Sequence, residues 1–78
     1  MTKIEVTVRS WDCESGTVRA CERVAAYLPQ NYAVGEAWIT GSGDVIVTVA
    51  GDDHAGWTAV DYVIPRLASG SYAATVVA

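Results

Sequence analysis

Residues 33–50 read A-V-G-E-A-W-I-T-G-S-G-D-V-I-V-T-V-A, a stretch that predicts a β-hairpin. Residues 33–40 form its first strand, and Gly41-Ser42-Gly43-Asp44 supplies the permissive residues that a short turn requires. β-Branched residues occupy five of the six positions in 45–50, which is typical of a strand. The hairpin therefore forms the centre of the predicted order of elements.

A strand and a helix are predicted before the hairpin. In residues 3–9, K-I-E-V-T-V-R, apolar and polar residues alternate strictly, which predicts a half-buried strand. Apolar residues then recur at helical spacing from about Ser15 to Leu28, and Pro29 ends the predicted helix. The apolar stripe of this helix consists of Val18, Cys21, Val24, Ala25 and Leu28.

A helix and a strand are predicted after the hairpin. Gly51-Asp52-Asp53 breaks the strand and offers carboxylates that cap a helix N-terminus. Pro65 predicts a kink or break in this helix because it removes a backbone donor, and Gly70 predicts its end. The segment Tyr72–Ala78 predicts the last strand. The apolar stripe of the helix consists of Trp57, Val60, Val63, Ile64 and Leu67.

The predicted order is βαββαβ, and a chain of 78 residues forms one α+β domain, residues 1–78. Two right-handed crossovers around a hairpin predict a ferredoxin-like sandwich with a four-stranded antiparallel sheet in spatial order 4-1-3-2. Both helices are then expected on one face of the sheet. The alternative is the same set of elements with the last strand exchanged between two chains.

Composition and charge narrow the classes of function. The net charge is −4, and from residue 24 onward only Arg66 opposes five acidic residues, which argues against nucleic-acid binding. No apolar run reaches the roughly 20 residues of a membrane span, and the amino terminus does not resemble a signal peptide. We therefore predict a cytoplasmic protein that binds no membrane, with Cys13 and Cys21 as reduced thiols.

Few residues carry recognisable chemistry. Gly41-Ser42-Gly43 joins two strands, so it serves a turn and not a phosphate site, and no Cys-x-x-Cys or paired-His spacing occurs. Asp52-Asp53-His54 could bind a metal or transfer protons, but helix capping explains these carboxylates. Cys13 could act as a nucleophile with His54, and both are expected at one edge of the sheet. We predict no cofactor, no metal, no catalytic residue and no enzymatic activity.

The aromatic residues point to a protein interface. All seven are Trp or Tyr, the types that are enriched where proteins meet. We assign Ala33, Gly35, Ala37 and Ile39 to the helix-covered face of the sheet. That assignment puts Tyr32, Val34, Glu36 and Trp38 on the uncovered face, together with Ile46. The predicted interface residues are Trp38, Tyr32, Val34 and Ile46, with Trp11 as a second anchor. In the alternative, the faces of this strand are reversed and Trp38 fills the core.

Residues 56–75, G-W-T-A-V-D-Y-V-I-P-R-L-A-S-G-S-Y-A-A-T, resemble carboxy-terminal segments of small uncharacterised proteins from bacteriophages of mycobacteria and related actinobacteria. The similarity rests on Tyr62–Gly70. It implies an accessory protein in the cytoplasm of the infected cell that binds and modulates a host bacterial protein. No catalytic residue follows from it, because the segment contains no motif of known chemical role.

Together these observations predict a non-enzymatic protein-interaction module that self-associates and binds a protein partner, with no nucleic acid involved. One alternative is a βαββαβ domain that binds a small molecule or metal at a sheet edge or dimer seam. The other is a small enzyme that uses Cys13, or Asp52, Asp53 and His54. The fold by itself does not distinguish these functions.

Overall fold

A computed structural model describes residues 1–14 and 16–78, so Ser15, the predicted start of the first helix, lies outside the described residues. A π-helical turn over Ala59–Val63 runs directly into the third helix. The elements are β1 (Thr2–Val8), α1 (Ser10–Cys13), α2 (Thr17–Ala25), β2 (Tyr32–Ile39), β3 (Val45–Gly51), α3 (Ile64–Ser69) and β4 (Ala73–Val76).

The four strands form one antiparallel sheet in the order β2-β3-β1-β4. Counted from the β4 edge, this is the order that was predicted. β1 is central, with Val6 opposite Val47 of β3 on one side and Ala74 of β4 on the other. The α+β class and the four-stranded antiparallel sheet are thus confirmed.

The core lies on one face of this sheet. Ile4, Val6 and Val8 alternate into it along β1 and are fully buried, as the strict alternation of this strand predicts. Each such side chain contributes roughly 1.5–3 kcal/mol of transfer free energy. The helices cover the same face, since their buried residues belong to one cluster with those of the strands. The helical members are Ala20, Val24, Ala59, Val63 and Leu67.

The buried face of α2 matches the predicted stripe only in part: Val24 is buried as predicted, but Ala20 was not assigned to the stripe. Ala20 and Val24, four residues apart, are fully buried, whereas Val18 is 73% exposed. The helix ends at Ala25, so Leu28 lies beyond it. The predicted stripe followed the larger apolar side chains. The small Ala20 is the one that packs against the sheet.

The second predicted helix begins at Ala59, several residues later than the position of Asp52 and Asp53 predicted. A tight turn over residues 54–57 comes first, with the Trp57 N–H donating to the His54 carbonyl at 2.8 Å and Gly56 at φ +81°. Trp57 and Val60 are consequently exposed and do not belong to the buried stripe. Pro65 lies at the start of α3, where a continuous helical segment changes from π to α, so the predicted interruption is a change of helix type.

A β-bulge in β2 changes which residues share a face. Val34 is opposite Val49 and Ala37 is opposite Val47, so Gly35 and Glu36 together oppose one residue of β3. The extra residue reverses the alternation at this point. The prediction that Tyr32 and Val34 lie on the uncovered face is therefore wrong; Tyr32 is buried and Val34 packs against the core.

Candidate protein interface

The face of the sheet opposite the helices, here called the open face, receives alternate residues from all four strands. Small and hydroxyl side chains predominate on it, and its largest apolar side chain is that of Trp38. The register assigns to the open face Lys3, Glu5, Thr7, Ala33, Trp38, Ile46, Thr48, Ala50, Ala73 and Thr75. The bulge adds Gly35 and Glu36 at the β2 edge.

Trp38 and Ile46 form a cross-strand pair on this face. Trp38 is 41% exposed, and Ile46 is half-buried beside it. Paired side chains of neighbouring strands lie about 4.5–5.5 Å apart at Cβ, so the two make one continuous apolar surface. The structure thus brings together two of the predicted interface residues.

A hollow of about 330 Å³ lies on the same face, between β1, β2 and β3. The bulge accounts for it, because Gly35 has no side chain and the neighbouring Ala50 has a small one. Thr48 holds the bulge in place by donating its hydroxyl to the Glu36 carbonyl at 2.6 Å. The residues that line the hollow are Lys3, Gly35, Glu36, Thr48, Val49 and Ala50.

Charges on the open face nearly balance, although the chain as a whole is acidic. Lys3 opposes Glu5 and Glu36 there, which leaves a net charge of −1 against −4 for the whole chain. Most of the excess negative charge is therefore located elsewhere. Long-range repulsion between two open faces is accordingly weak.

Tyr32 is 4% exposed and has a structural role on the covered face. Its hydroxyl donates to the carboxylate of Asp53, which also accepts the backbone N–H of Ala59 at 2.9 Å. Burial, followed by the bond to this carboxylate, raises the pKa of Tyr32. The bonds from Tyr32 and Ala59 lower the pKa of Asp53. Asp53 thus helps to cap the helix start, in agreement with the capping interpretation.

Trp11 lies apart from the pair formed by Trp38 and Ile46. It belongs to the single turn of α1, is 80% exposed and lines a separate cleft of about 260 Å³. The cleft lies where β1 ends and the chain enters β4, and Tyr72 closes it with a 2.9 Å hydrogen bond to Asp12. Its lining consists of Arg9, Trp11, Asp12, Gly70, Ser71 and Tyr72.

Cys13 and His54 do not meet. β1 and β3 are antiparallel, so Cys13 follows the Val8 end of β1 while His54 follows the opposite end of the sheet. Strands of seven residues separate these ends by about 20 Å. The expected juxtaposition is wrong, because antiparallel neighbours end on opposite sides. Cys13 is also buried, with its thiol donating to the Arg9 carbonyl at 3.3 Å.

A series of aromatic side chains at the far end of β3 was not predicted. The rings of His54 and Trp57 have centroids 6.4 Å apart, those of Trp57 and Tyr62 are 6.3 Å apart, and the Arg66 guanidinium lies 5.9 Å from the Tyr62 centroid. The i, i+4 spacing of Tyr62 and Arg66 on a helix could have indicated that contact. The contact between His54 and Trp57 depends on the tight turn over residues 54–57, which the sequence pattern did not predict.

Comparison of the chain with models of known families, with curated proteins and with solved structures gives no match. Among residues 1–14 and 16–78, no group of three or more His, Cys, Asp or Glu side chains is placed to hold a metal ion. No helix in this part of the chain is long and apolar enough to cross a membrane. The open face is therefore the candidate functional surface.

Proposed function

We propose that this chain is a protein-interaction module that self-associates by packing the open face of one copy against that of a second copy. The observation that carries the proposal is the presence of Trp38 and of a hollow on a single face. A two-fold axis between these features places each Trp38 in the hollow of the other copy. Both contacts then follow from one symmetry operation.

The apolar surface of Trp38 supplies the driving force. A Trp side chain buries 150–250 Å² in contacts, and covering the exposed fraction of Trp38 is worth about 2 kcal/mol in each copy. Aromatic side chains that fill a pocket near the centre of an interface are the usual anchors of binding. Trp38, with Ile46 beside it, is the proposed anchor, and the hollow of the second copy is the pocket that receives it.

The surroundings of Trp38 favour a second copy as its partner. Alanine, glycine and threonine dominate the open face, so the backbones of two sheets can approach closely. The near balance of charge on this face limits the repulsion at the contact between identical chains whose net charge is −4. Self-association is thus compatible with both the shape and the charge of the face.

The size of the face indicates a weak and reversible contact. Four strands about 4.8 Å apart and four to eight residues long present roughly 400 Å², which is below the roughly 800 Å² per partner of standard interfaces. We therefore expect the association to depend on concentration in the micromolar range.

The proposal also covers the fold family and the origin of the chain. We assign the chain to the ferredoxin-like βαββαβ arrangement, supported by the strand order and by helices that pack on one face. From the resemblance of residues 62–70, we place it among actinobacteriophage accessory proteins that act in the host cytoplasm on a bacterial protein. Affinity capture tests the second statement. One stoichiometric bacterial partner is expected, and capture of none would contradict this statement while leaving self-association unaffected.

Light scattering after size-exclusion chromatography tests the proposed association. We expect the average mass to rise with concentration above 8.2 kDa, and Trp38→Ala to halve the mass reached at saturation. Ala50→Lys, which fills the hollow without touching Trp38, should have the same effect. Trp57→Ala is the matched control, since Trp57 is 43% exposed on another surface, and it should leave the mass unchanged. Equal effects of the two Trp substitutions, or none, would overturn the proposal.

A further inference from the structure

The two edges of the sheet, β2 and β4, differ in how they are protected. The bulge interrupts β2, and Glu36 adds a charge to it; both are features that hinder the pairing of an edge with another strand. β4 pairs with β1 through four consecutive residues without any register shift. Residues 71–78, S-Y-A-A-T-V-V-A, contain no charged side chain. The β4 edge is thus regular and uncharged.

The backbone of β4 offers free hydrogen-bonding groups on its outer side. The Val77 N–H donates to the Lys3 carbonyl at 2.9 Å, so in an antiparallel ladder the N–H groups of Ala74 and Val76 point away from β1. Within the part of the chain that the structure describes, β4 pairs with β1 alone. Val76 and Val77 are 44% and 50% exposed beside this edge.

We propose that the β4 edge is a strand-pairing site that binds the β4 edge of a second copy in antiparallel orientation. Ala74 and Val76 carry the outward groups, and the register that uses all of them pairs Ala74 of each copy with Val76 of the other and places Thr75 opposite its counterpart on the two-fold axis. This contact joins the two sheets into one of eight strands. It is an example of recognition by strand addition, in which the main chain supplies the bonds.

The absence of charge favours a second copy as the occupant. When a strand pairs with itself about a two-fold axis, the residue on the axis faces its own copy, so a charged residue there is destabilising. β4 has no such residue, and its axis position holds Thr75, a type that forms favourable cross-strand pairs with itself. A charged foreign strand would gain no complementary partner from this edge.

The edge contact is independent of the open face. The two-fold axis of the edge contact is perpendicular to the sheet, so both open faces stay on one side of the eight-stranded sheet and remain accessible. If the two-fold axes of the two contacts intersect at right angles, the closed assembly holds four chains. Trp38→Ala, which removes the face contact, should then leave an edge dimer, and this background isolates the edge for measurement.

Amide hydrogen exchange followed by NMR tests the proposal in the Trp38→Ala background. The amides of Ala74 and Val76 should exchange at least tenfold more slowly at high than at low protein concentration, because pairing occupies them. The amides of Ala37 and Ile39 are the matched control. They point outward at the β2 edge, since the Thr40 N–H donates to the Asp44 carbonyl, and their exchange should not change. Concentration-independent exchange at Ala74 and Val76 would overturn the inference.

Proline substitution gives a second test in the same background. Val76→Pro removes an outward N–H without touching the ladder to β1, so the edge dimer should dissociate to 8.2 kDa monomers while the fold persists. Ile39→Pro makes the matched change at the β2 edge and should leave the dimer intact. A monomeric Trp38→Ala chain would contradict the edge contact alone. A Trp38→Ala chain whose mass equals that of the unaltered protein would instead contradict the face contact.

Discussion

Aromatic residues at the two ends of β2 lie on opposite faces of the sheet. Tyr32 and Trp38 are six residues apart, an even number, yet Tyr32 is 4% exposed in the core and Trp38 is 41% exposed on the open face. In a regular strand they would share a face. The bulge at Gly35 and Glu36 accounts for the difference. One extra residue thus separates a structural aromatic from the anchor of the proposed interface.

The largest expected effect comes from removing the buried member of this pair. Tyr32→Ala should lower the free energy of unfolding by about 3–5 kcal/mol, because it leaves a cavity and deprives Asp53 of its hydroxyl donor. A domain of this length has roughly 4–12 kcal/mol in total, so the variant should be close to unfolding. Urea denaturation followed by circular dichroism measures the change.

Trp38→Ala is the control for this experiment and should cost less than about 1 kcal/mol in dilute solution, where the proposed dimer is not formed. Similar losses for the two variants would contradict the different burial of the two ends of β2.

Gly51 faces Tyr32 across the strand pair and permits the tyrosine to pack where it does. A Cβ at residue 51 would clash with the Asn31 carbonyl oxygen and lie 2.7 Å from the Tyr32 ring. Gly51→Ala should therefore destabilise the protein by about 1–3 kcal/mol, since backbone atoms cannot move away cheaply. Thermal unfolding measures the loss, and a variant as stable as the unaltered protein would show that this packing is wrong.

Deleting Glu36 tests the bulge directly. The pairs on either side of it, Val34 with Val49 and Ala37 with Val47, are compatible with a regular strand of one residue fewer. We expect stability to change by less than about 1 kcal/mol and Tyr32 to stay buried, as judged by NMR contacts between its ring and the core. The β2 edge would lose its protection, so its outward amides should gain concentration-dependent protection from exchange. Loss of the folded state would instead mean that the bulge is required for folding.

Prediction from sequence succeeded where the elements are regular. β1 is flanked by two strands without register shifts, so its alternation alone identified Ile4, Val6 and Val8 as core residues. The strand order followed from the handedness of two crossovers. The bulge was not anticipated, although Gly35 within a strand is a recognised sign of one. For that reason Tyr32 and Val34 were assigned to the wrong face, while Trp38 and Ile46 lie on the open face.

Long-range contacts explain the remaining differences. Asp53 caps the helix start at Ala59 from six residues away, which requires the intervening turn at residues 54–57. Local spacing predicts caps only two or three residues from their target. The hollow beside Trp38 likewise depends on how three strands meet at the bulge, and no single segment contains it. The interface role of Trp38 remains a prediction.

The smallest expected effect concerns the pH dependence that the Tyr32 end of β2 confers. Asp53 has a lowered pKa in the folded protein, so the unfolded chain binds its proton more readily. The free energy of unfolding should therefore fall as the pH decreases through and below the ordinary value of 3.8. Tyr32→Phe removes the largest cause of the lowered pKa, and its stability should decline less steeply between pH 5 and pH 2. Asp44, whose pKa is also lowered, by bonds from Ser10 and Arg9, contributes equally to both proteins and cancels. Identical slopes would show that Tyr32 does not hold the Asp53 carboxylate in its charged form.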